Sequence, residues 1–373
     1  MAVIIKEIKT FAGLKKFVDF PIKLYHKNPY YVPVLRLDDL NTLNSKKNPA
    51  FDHCEVRYWM AYKEGRAVGR VAAILNHKHV EKWNQAYMRF GWLEFIEDLE
   101  VSQALLGAVE NWARECQMTA VIGPIGFTDM DREGMLIEGF TEVATLATNY
   151  NYPYYPIHLE AIGYKKDTDW IEYELTAPSE PDAKLSRAAE IVLKRNNLTL
   201  LKVKNKKELL SYAKDLFDLL NQEYSHLYGT VPLTDEQINI YVNQYFGFIH
   251  PDFVPIVLDS DKKMVAFGIT IPSLSSALQK SRGRLLPLGW WHLLSAMRKN
   301  DRADLYLVAV KKEYQGLGVN MVMMDQISKV FIRRGISKVE SNPELETNLN
   351  VQSQWKLFEQ RQHKRRRCYI KTF

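Results

Sequence analysis

The spacing of apolar residues between positions 304 and 343 predicts a strand, a turn, a helix and a second strand. Positions 304–310 form a short apolar run rich in β-branched residues, which is typical of a buried strand. From 319 to 334 apolar residues recur at helical spacing, and Gly335 ends that run. Positions 336–343 are typical of another strand. This segment organises the second half of the chain.

The same order of elements occurs twice. In the first half, the spacing of apolar and polar residues predicts a hairpin at 56–62 with 67–75 and a strand at 90–97. A helix at 105–116 and a closing strand at 119–124 follow. In the second half the same spacing predicts these elements at 253–258 with 264–271, 305–310, 319–334 and 336–343. We therefore infer a tandem duplication of one α/β unit, joined at the turn-rich stretch 177–182. The predicted domains are residues 1–178 and 179–373.

Gly316 and Gly318 lie in the turn between the predicted strand and helix of the second half. Glycine lets the chain turn sharply and lets a ligand approach the backbone closely. Because the unpaired N–H groups and the dipole of a helix N-terminus both favour an anion, the turn predicts a site for phosphate or pyrophosphate. The alternative is an ordinary strand-to-helix turn. The loop has neither the lysine of a Walker loop nor the three glycines of a dinucleotide-binding loop.

The loop resembles the pyrophosphate loop of the GNAT acyltransferase superfamily, which follows the pattern Q/R-x-x-G-x-G/A. Gln315 and Gly318 meet the pattern, whereas Asn320 departs from the glycine or alanine that the family prefers. The segment 154–167 is similar to the end of the GNAT fold. The resemblance implies an α/β (α+β) fold class with two tandem GNAT-like units. Each unit would be a mixed, mostly antiparallel twisted sheet flanked by helices.

The resemblance also implies that acetyl-CoA or acyl-CoA is the cosubstrate and binds in the second half. The residues implied to bind it are Val308, Ala309, Val310, Gln315, Gly316, Leu317, Gly318, Val319, Asn320 and Asn350. In the first half, Asp98 and Glu100 stand where the loop would be, and their carboxylates would repel a diphosphate. We therefore expect a degenerate N-terminal copy that binds no coenzyme.

The activity implied by the resemblance is transfer of an acetyl or longer acyl group from coenzyme A to an amine. This N-acyltransferase chemistry needs a base for the amine, and we expect Glu340, Glu344 or Glu346 to act directly or through water. Each is alternatively a surface carboxylate. The last helix, predicted at 350–362, offers Trp355 and Phe358 where the family commonly places a tyrosine. The alternative function is an inactive GNAT-like scaffold or a CoA-binding interaction protein.

An insertion at 274–303 interrupts the second half. Its apolar part, 285–297, is too short to span a bilayer. A buried helix is the default interpretation, and the alternatives are the wall of an apolar pocket or an interfacial helix in contact with a membrane. The residues expected to bind the acceptor, a small-molecule or lipid-like amine, are Arg282, Arg284, Trp290 and Asn348. The arginines suit a carboxylate but are alternatively solvated, and Asn348 is alternatively a helix cap.

Composition and charge indicate the class of protein, its compartment and the ligands that are not expected. The chain has 373 residues, 46% hydrophobic and 25% charged, as in a globular protein with room for two domains. Three scattered cysteines, and the lack of a signal-peptide or membrane-spanning pattern, predict a cytoplasmic protein. The net charge of +6 equals the six basic residues from Arg361 onwards. We interpret them as a solvated basic strand or terminus or, alternatively, as a contact with the phosphates of a coenzyme or with an anionic acceptor. We expect no metal and no specific nucleic acid.

Overall fold

The computed structural model describes residues 2–373. The strands are β1 (Ile4–Glu7), β2 (Cys54–Lys63), β3 (Arg66–Asn76), β4 (Tyr87–Phe95), β5 (Ala120–Gly123), β6 (Met135–Glu138), β7 (Lys165–Thr176), β8 (Thr199–Leu201), β9 (Ile256–Leu258), β10 (Met264–Pro272), β11 (Arg302–Val310), β12 (Lys338–Ser341), β13 (Glu344–Leu345) and β14 (Gln360–Thr372). The α-helices are α1 (Phe11–Leu24), α2 (Arg36–Thr42), α3 (His77–Trp83), α4 (Leu99–Glu115), α5 (Tyr154–Ala161), α6 (Ala183–Arg195), α7 (Lys206–Ser211), α8 (Ala213–Tyr224), α9 (Asp235–Tyr245), α10 (Ser275–Ser281), α11 (Gly289–Arg298), α12 (Val319–Arg334) and α13 (Leu349–Gln354). None of these helices combines the length and the hydrophobicity needed to cross a bilayer.

The chain forms two compact units, each assembled from more than one stretch of sequence. The first unit comprises residues 2–171, Ser275–Leu293 and His363–Phe373. The second comprises Glu172–Leu274 and Leu294–Gln362. The strands of both units are mostly antiparallel and are flanked by helices, which confirms the predicted fold class. The boundaries 1–178 and 179–373 of the sequence repeat stay a prediction.

In the first unit the strand order is β1-β2-β3-β4-β5-β14-β7. The pair β4 and β5 is parallel, and the hairpin β2–β3 is antiparallel, as the sequence predicts. The helix α4 buries Leu105, Val109 and Trp112 in the core of this unit, which confirms the predicted apolar face. The first helix of this unit, α1, follows β1, and its first turn is capped by the Thr10 hydroxyl accepting from the Gly13 N–H at 3.1 Å.

In the second unit the strand order is β7-β12-β11-β10-β9-β8. The strands β11 and β12 are parallel and are joined through α12. Both ends of α12 agree with the prediction, and its buried face is Val319, Val322, Met323, Ile327, Val330 and Phe331, as the spacing predicts. This face packs in core clusters with residues from α6, β9 and β10. The strand–helix–strand segment is thereby fixed in the sheet of the second unit.

The C-terminal basic run is a strand, one of the two predicted alternatives, but the prediction that it is solvated is wrong. The run belongs to β14, in which Arg366 is fully buried and Tyr369 pairs with Gly123 of β5. Arg365 and Arg367 both donate to the carboxylate of Asp169, so their charges are compensated inside the first unit. Backbone pairing with strands far away in sequence, which local charge patterning does not reveal, outweighs the tendency of a charged run to stay in water.

Two further predictions need correction. The last helix, predicted at 350–362, ends at Gln354. The strand β14 begins at Gln360, because the residues from there onwards pair with neighbouring strands. The default interpretation of 285–297 as a buried helix is also wrong. Within α11 only Gly289 and Leu293 are buried, whereas both tryptophans of the helix are exposed, as are Leu286 and Leu288 before it. The apolar stripe that contacts the protein is therefore narrow, and most of the apolar surface faces solvent.

Candidate functional site

A split between two parallel strands creates an open strand edge in the second unit. The pairing of β11 with β12 runs from Arg302 opposite Lys338 to Leu305 opposite Ser341. Beyond that point, none of the described strands pairs with β11 on this side. The register of β10 against β11 also shifts next to Leu305, a β-bulge that redirects the strand. Bulges commonly adjoin functional sites for this reason.

The carbonyl groups along this edge are held by side chains. Because the Lys311 N–H donates to β10, the backbone groups of Val308 and Val310 point to the opposite, open edge. The Tyr224 hydroxyl donates to the Val308 carbonyl at 3.0 Å. The Gln315 side-chain amide donates to the Val310 carbonyl at 2.9 Å. The structure therefore brings together the strand end and the first residue of the predicted loop motif.

Gln315 has a positioning role that the motif alone does not specify. Its amide also donates to a Glu223 carboxylate oxygen at 3.0 Å. The other carboxylate oxygen of Glu223 accepts from the Lys312 N–H at 3.1 Å. The loop is therefore tied to both β11 and α8. Glu223 and Tyr224, at the C-terminal end of α8, were missed by sequence reasoning because nothing in the amphipathic pattern of a helix indicates a contact with a distant strand.

The loop turns through two glycines in the left-handed region. Gly316 has φ 76° and Gly318 has φ 85°, values at which residues with a side chain are strained. Gly318 is the N-cap of α12, and no side chain caps the N–H groups of the first turn. Val319 is buried, Asn320 is partly buried and Leu317 is largely exposed. The helix N-terminus therefore presents backbone donors, as the anion-site hypothesis requires.

The three candidate acids occupy different positions. Glu340 lies on β12, in register with Asp304 and Glu174. Glu344 lies on β13 and accepts from the Trp355 ring N–H, at 2.8 and 3.0 Å to its two oxygens. Burial raises the pKa of Glu344 to about 8, despite the opposing hydrogen bonds from Trp355 and Ser341. Glu346 follows in the turn after β13. The raised pKa of Glu344 suits proton transfer near neutral pH.

The remaining predicted site residues are described by their local contacts and exposure. Asn348 is the N-cap of α13 and accepts from the Val351 N–H at 3.4 Å, so the capping alternative holds for its side chain. Asn350 is exposed in the first turn of α13. Arg282, Arg284 and Trp290 are exposed residues of the first unit. Their assignment to the acceptor stays a prediction.

In the first unit, the end of β4 and the start of α4 correspond to the open edge of β11 and the start of α12, but their contacts differ from those in the second unit. At the end of β4, the Tyr155 hydroxyl accepts from the Phe95 N–H at 2.9 Å and the Tyr154 hydroxyl donates to the Phe95 carbonyl at 2.6 Å. The following helix, α4, is capped by the Asp98 carboxylate, which also pairs with Lys63. Tyrosine side chains and a carboxylate therefore occupy this strand end and helix N-terminus, where a diphosphate would need free donors.

Comparisons by sequence find two similar curated proteins. Protein YghO from Escherichia coli (strain K12) is 28% identical over 375 residues, which cover 98% of this chain and 95% of that protein. A bacterial ceramide synthase from Caulobacter vibrioides (strain NA1000 / CB15N) is 25% identical over 350 residues, covering 91% and 90%. No model of a known protein family matches the chain.

Comparisons by structure find GNAT folds along nearly the whole chain. A tandem GNAT protein from the clavulanic acid biosynthesis pathway superposes with a TM-score of 0.56 at 12% identity, covering 99% of this chain and 98% of the other. A GCN5-related N-acetyltransferase from Sphaerobacter thermophilus superposes with a TM-score of 0.53 at 11% identity, covering 99% and 95%. Likeness at such low identity concerns the fold. The chain therefore has the tandem GNAT fold that its glycine loop and repeated elements predicted.

Proposed function

We propose that this protein is an N-acyltransferase that uses acetyl-CoA or a longer acyl-CoA, with the coenzyme site in the second unit. The observation that carries the proposal is the uncapped N-terminus of α12, behind Gly316 and Gly318, next to the open edge of β11. The glycines let the diphosphate approach the backbone, and the helix dipole favours its charge. The edge at Val308 and Val310 offers backbone N–H groups to the amide-containing arm of coenzyme A, while Tyr224 and Gln315 hold the carbonyls.

The reaction requires a neutral amine to attack the thioester carbonyl. A C–N bond forms, the C–S bond breaks, the amine loses a proton and the departing thiolate gains one. Glu344, with a pKa of about 8, is assigned as the base, because a base whose pKa is near the working pH is efficient. Glu340 and Glu346 are the other candidates. Tyr224 is assigned to donate a proton or hydrogen bond to the thiolate, since its hydroxyl lies on the open edge.

A long-chain amine is the proposed acceptor class. The support is the similarity to a protein named bacterial ceramide synthase, since a ceramide is an amide of a fatty acid with a long-chain amino alcohol. Both that relative and Protein YghO align along nearly the whole chain, so the similarity is not confined to one unit. A lipid-like amine also agrees with the exposed apolar segment of the insertion.

The test is turnover of acyl-CoA by the purified full chain. Release of free coenzyme A thiol is followed while amines of increasing chain length are added with acetyl- or long-chain acyl-CoA, and the amide is identified by mass spectrometry. We expect amine-dependent thiol release and amide formation, strongly reduced in Glu344→Gln. Glu313→Gln is the matched control: it removes an exposed carboxylate just before the glycine loop at 315–318, and it should retain activity.

Two results would count against the proposal. Saturable coenzyme binding with no amide from any amine would favour the alternative of an inactive scaffold or CoA-binding interaction protein. Turnover that is unchanged in Glu344→Gln would remove Glu344 from the mechanism and leave Glu340 and Glu346 as the carboxylates to test.

A further inference from the structure

We propose that residues 280–291 form a docking surface for an anionic phospholipid bilayer. The docking surface consists of four apolar side chains, Leu286, Leu288, Trp290 and Trp291, and three basic side chains, Lys280, Arg282 and Arg284. All seven belong to the first unit. The inference goes beyond the proposed function and does not depend on it.

The apolar side chains are exposed to an unusual degree. The exposed fraction is 78% for Leu286, 62% for Leu288, 55% for Trp291 and 49% for Trp290. Isolated exposed apolar residues are common on proteins, but four large ones within six consecutive positions form a concentrated patch. Leucine and tryptophan are also the residues that enter the boundary between headgroups and acyl chains most readily.

The segment is held in a defined conformation. The Arg36 N–H donates to the Gly283 carbonyl at 2.8 Å, which attaches the segment to the start of α2. The Trp290 N–H donates to the Leu285 carbonyl at 2.9 Å, and the Trp290 ring N–H donates to the Pro287 carbonyl at 3.0 Å. A side chain at Gly289 would overlap the Arg284 carbonyl, so the turn packs closely on the start of α11. The exposed apolar side chains therefore belong to a backbone segment that is held in place by hydrogen bonds and close packing.

The charge around the patch has one sign. Between positions 275 and 300 the sequence contains five lysine or arginine residues and no aspartate or glutamate. Lys280, Arg282 and Arg284 are exposed. Among the described residues, no salt bridge joins any of these three side chains to an aspartate or glutamate. Their charges are thus available to the negative surface of an anionic leaflet.

This charge pattern favours a bilayer over a second copy of the chain. A symmetric dimer through the docking surface would place the same patch on both partners, so three positive charges of each copy would face those of the other. Like charges brought together in this way repel. An anionic bilayer instead supplies negative charge to the basic side chains and an apolar interior to the leucines and tryptophans.

The experiment is co-flotation of the purified full chain with vesicles of phosphatidylcholine alone or of phosphatidylcholine with phosphatidylglycerol. We expect binding to the anionic vesicles that decreases with added salt. Arg282→Gln with Arg284→Gln should weaken that binding by about 25-fold, at roughly fivefold for each charge removed. Leu286→Ser with Leu288→Ser should also weaken it. The matched control is Ile157→Ser with Ile191→Ser, which changes two other exposed apolar residues and should bind like the wild type.

A second measurement reports on the tryptophans themselves. Phospholipids brominated in their acyl chains should quench tryptophan fluorescence of the wild type, and the quenching should be largely lost in Trp290→Phe with Trp291→Phe. The proposal is overturned if the folded wild type does not bind anionic vesicles, or if the leucine variant binds as tightly as the control. It is also overturned if the wild type self-associates and the leucine variant does not, since the occupant would then be a second copy.

Discussion

Replacing Glu344 by glutamine should change how the stability of the protein depends on pH. Burial raises the pKa of Glu344 from its ordinary value of 4.5 to about 8. Between these pH values the folded protein keeps a proton that the unfolded chain has released, so the free energy of unfolding falls as the pH rises. At about 1.4 kcal/mol per pH unit, the loss across this window is at most about 5 kcal/mol.

The variant Glu344→Gln is neutral at every pH and keeps a carbonyl oxygen that can accept from the Trp355 ring N–H. We expect wild type and variant to be similarly stable near pH 5, where Glu344 is protonated in the folded protein. The wild type should then lose stability relative to the variant as the pH approaches about 8. The difference between the two proteins isolates Glu344 from other buried acids, such as Asp131, whose pKa burial raises to about 6.

The assay is urea-induced unfolding of both proteins at a series of pH values from about 5 to about 9. Hydrogen exchange of the peptide covering 344–357 gives a local measurement in the same samples. A difference in the free energy of unfolding that stays constant across this range would contradict a raised pKa of Glu344 in the folded protein. A constant difference would mean that Glu344 is already ionised in the folded protein, and it would remove the reason for preferring Glu344 over Glu340.

Three further predictions use other contacts. Gly318→Ala should lower the urea midpoint more than Gly316→Ala. Both positions have positive φ, but only at Gly318 would an added Cβ contact another side chain, that of Val192 at 3.0 Å. Equal decreases in the two midpoints would contradict this prediction. Asp169→Asn should cost about 3 kcal/mol in thermal unfolding because Arg365 and Arg367 both lose their buried carboxylate partner. An unchanged melting temperature would show that these pairs contribute little. Tyr224→Phe should lower kcat about tenfold with little change in KM, and an unchanged kcat would exclude Tyr224 from the chemistry.

The elements that the sequence predicted well are those with local determinants. The helix α12 begins after Gly318 and ends before Gly335, and both glycines have the positive φ that marks a helix boundary. The hairpins follow from apolar, β-branched runs on either side of short turns such as the one at Gly65. The glycine loop likewise predicted an uncapped helix N-terminus, because that geometry depends only on neighbouring residues.

The features that sequence reasoning missed depend on residues far apart in the chain. Arg366 is buried in β14 where it pairs with Leu136 of β6, a residue far earlier in the chain, and no local pattern indicates that pairing. The contact of Tyr224 with Val308 joins residues 84 positions apart. The exposure of Trp290 and Trp291 was also not predictable, since an apolar run of that length is equally typical of a core helix.

The central claim is that coenzyme A binds at the N-terminus of α12, and calorimetric titration of the purified full chain with free coenzyme A, acetyl-CoA and long-chain acyl-CoA tests it most directly. The account predicts saturable binding that is abolished in Gly318→Glu. Gly335→Glu is the matched control, because it places the same charge at a glycine of positive φ at the opposite end of the same helix, and it should bind normally. Failure of the folded wild type to bind any of these ligands, or equal binding by both variants, would contradict the account.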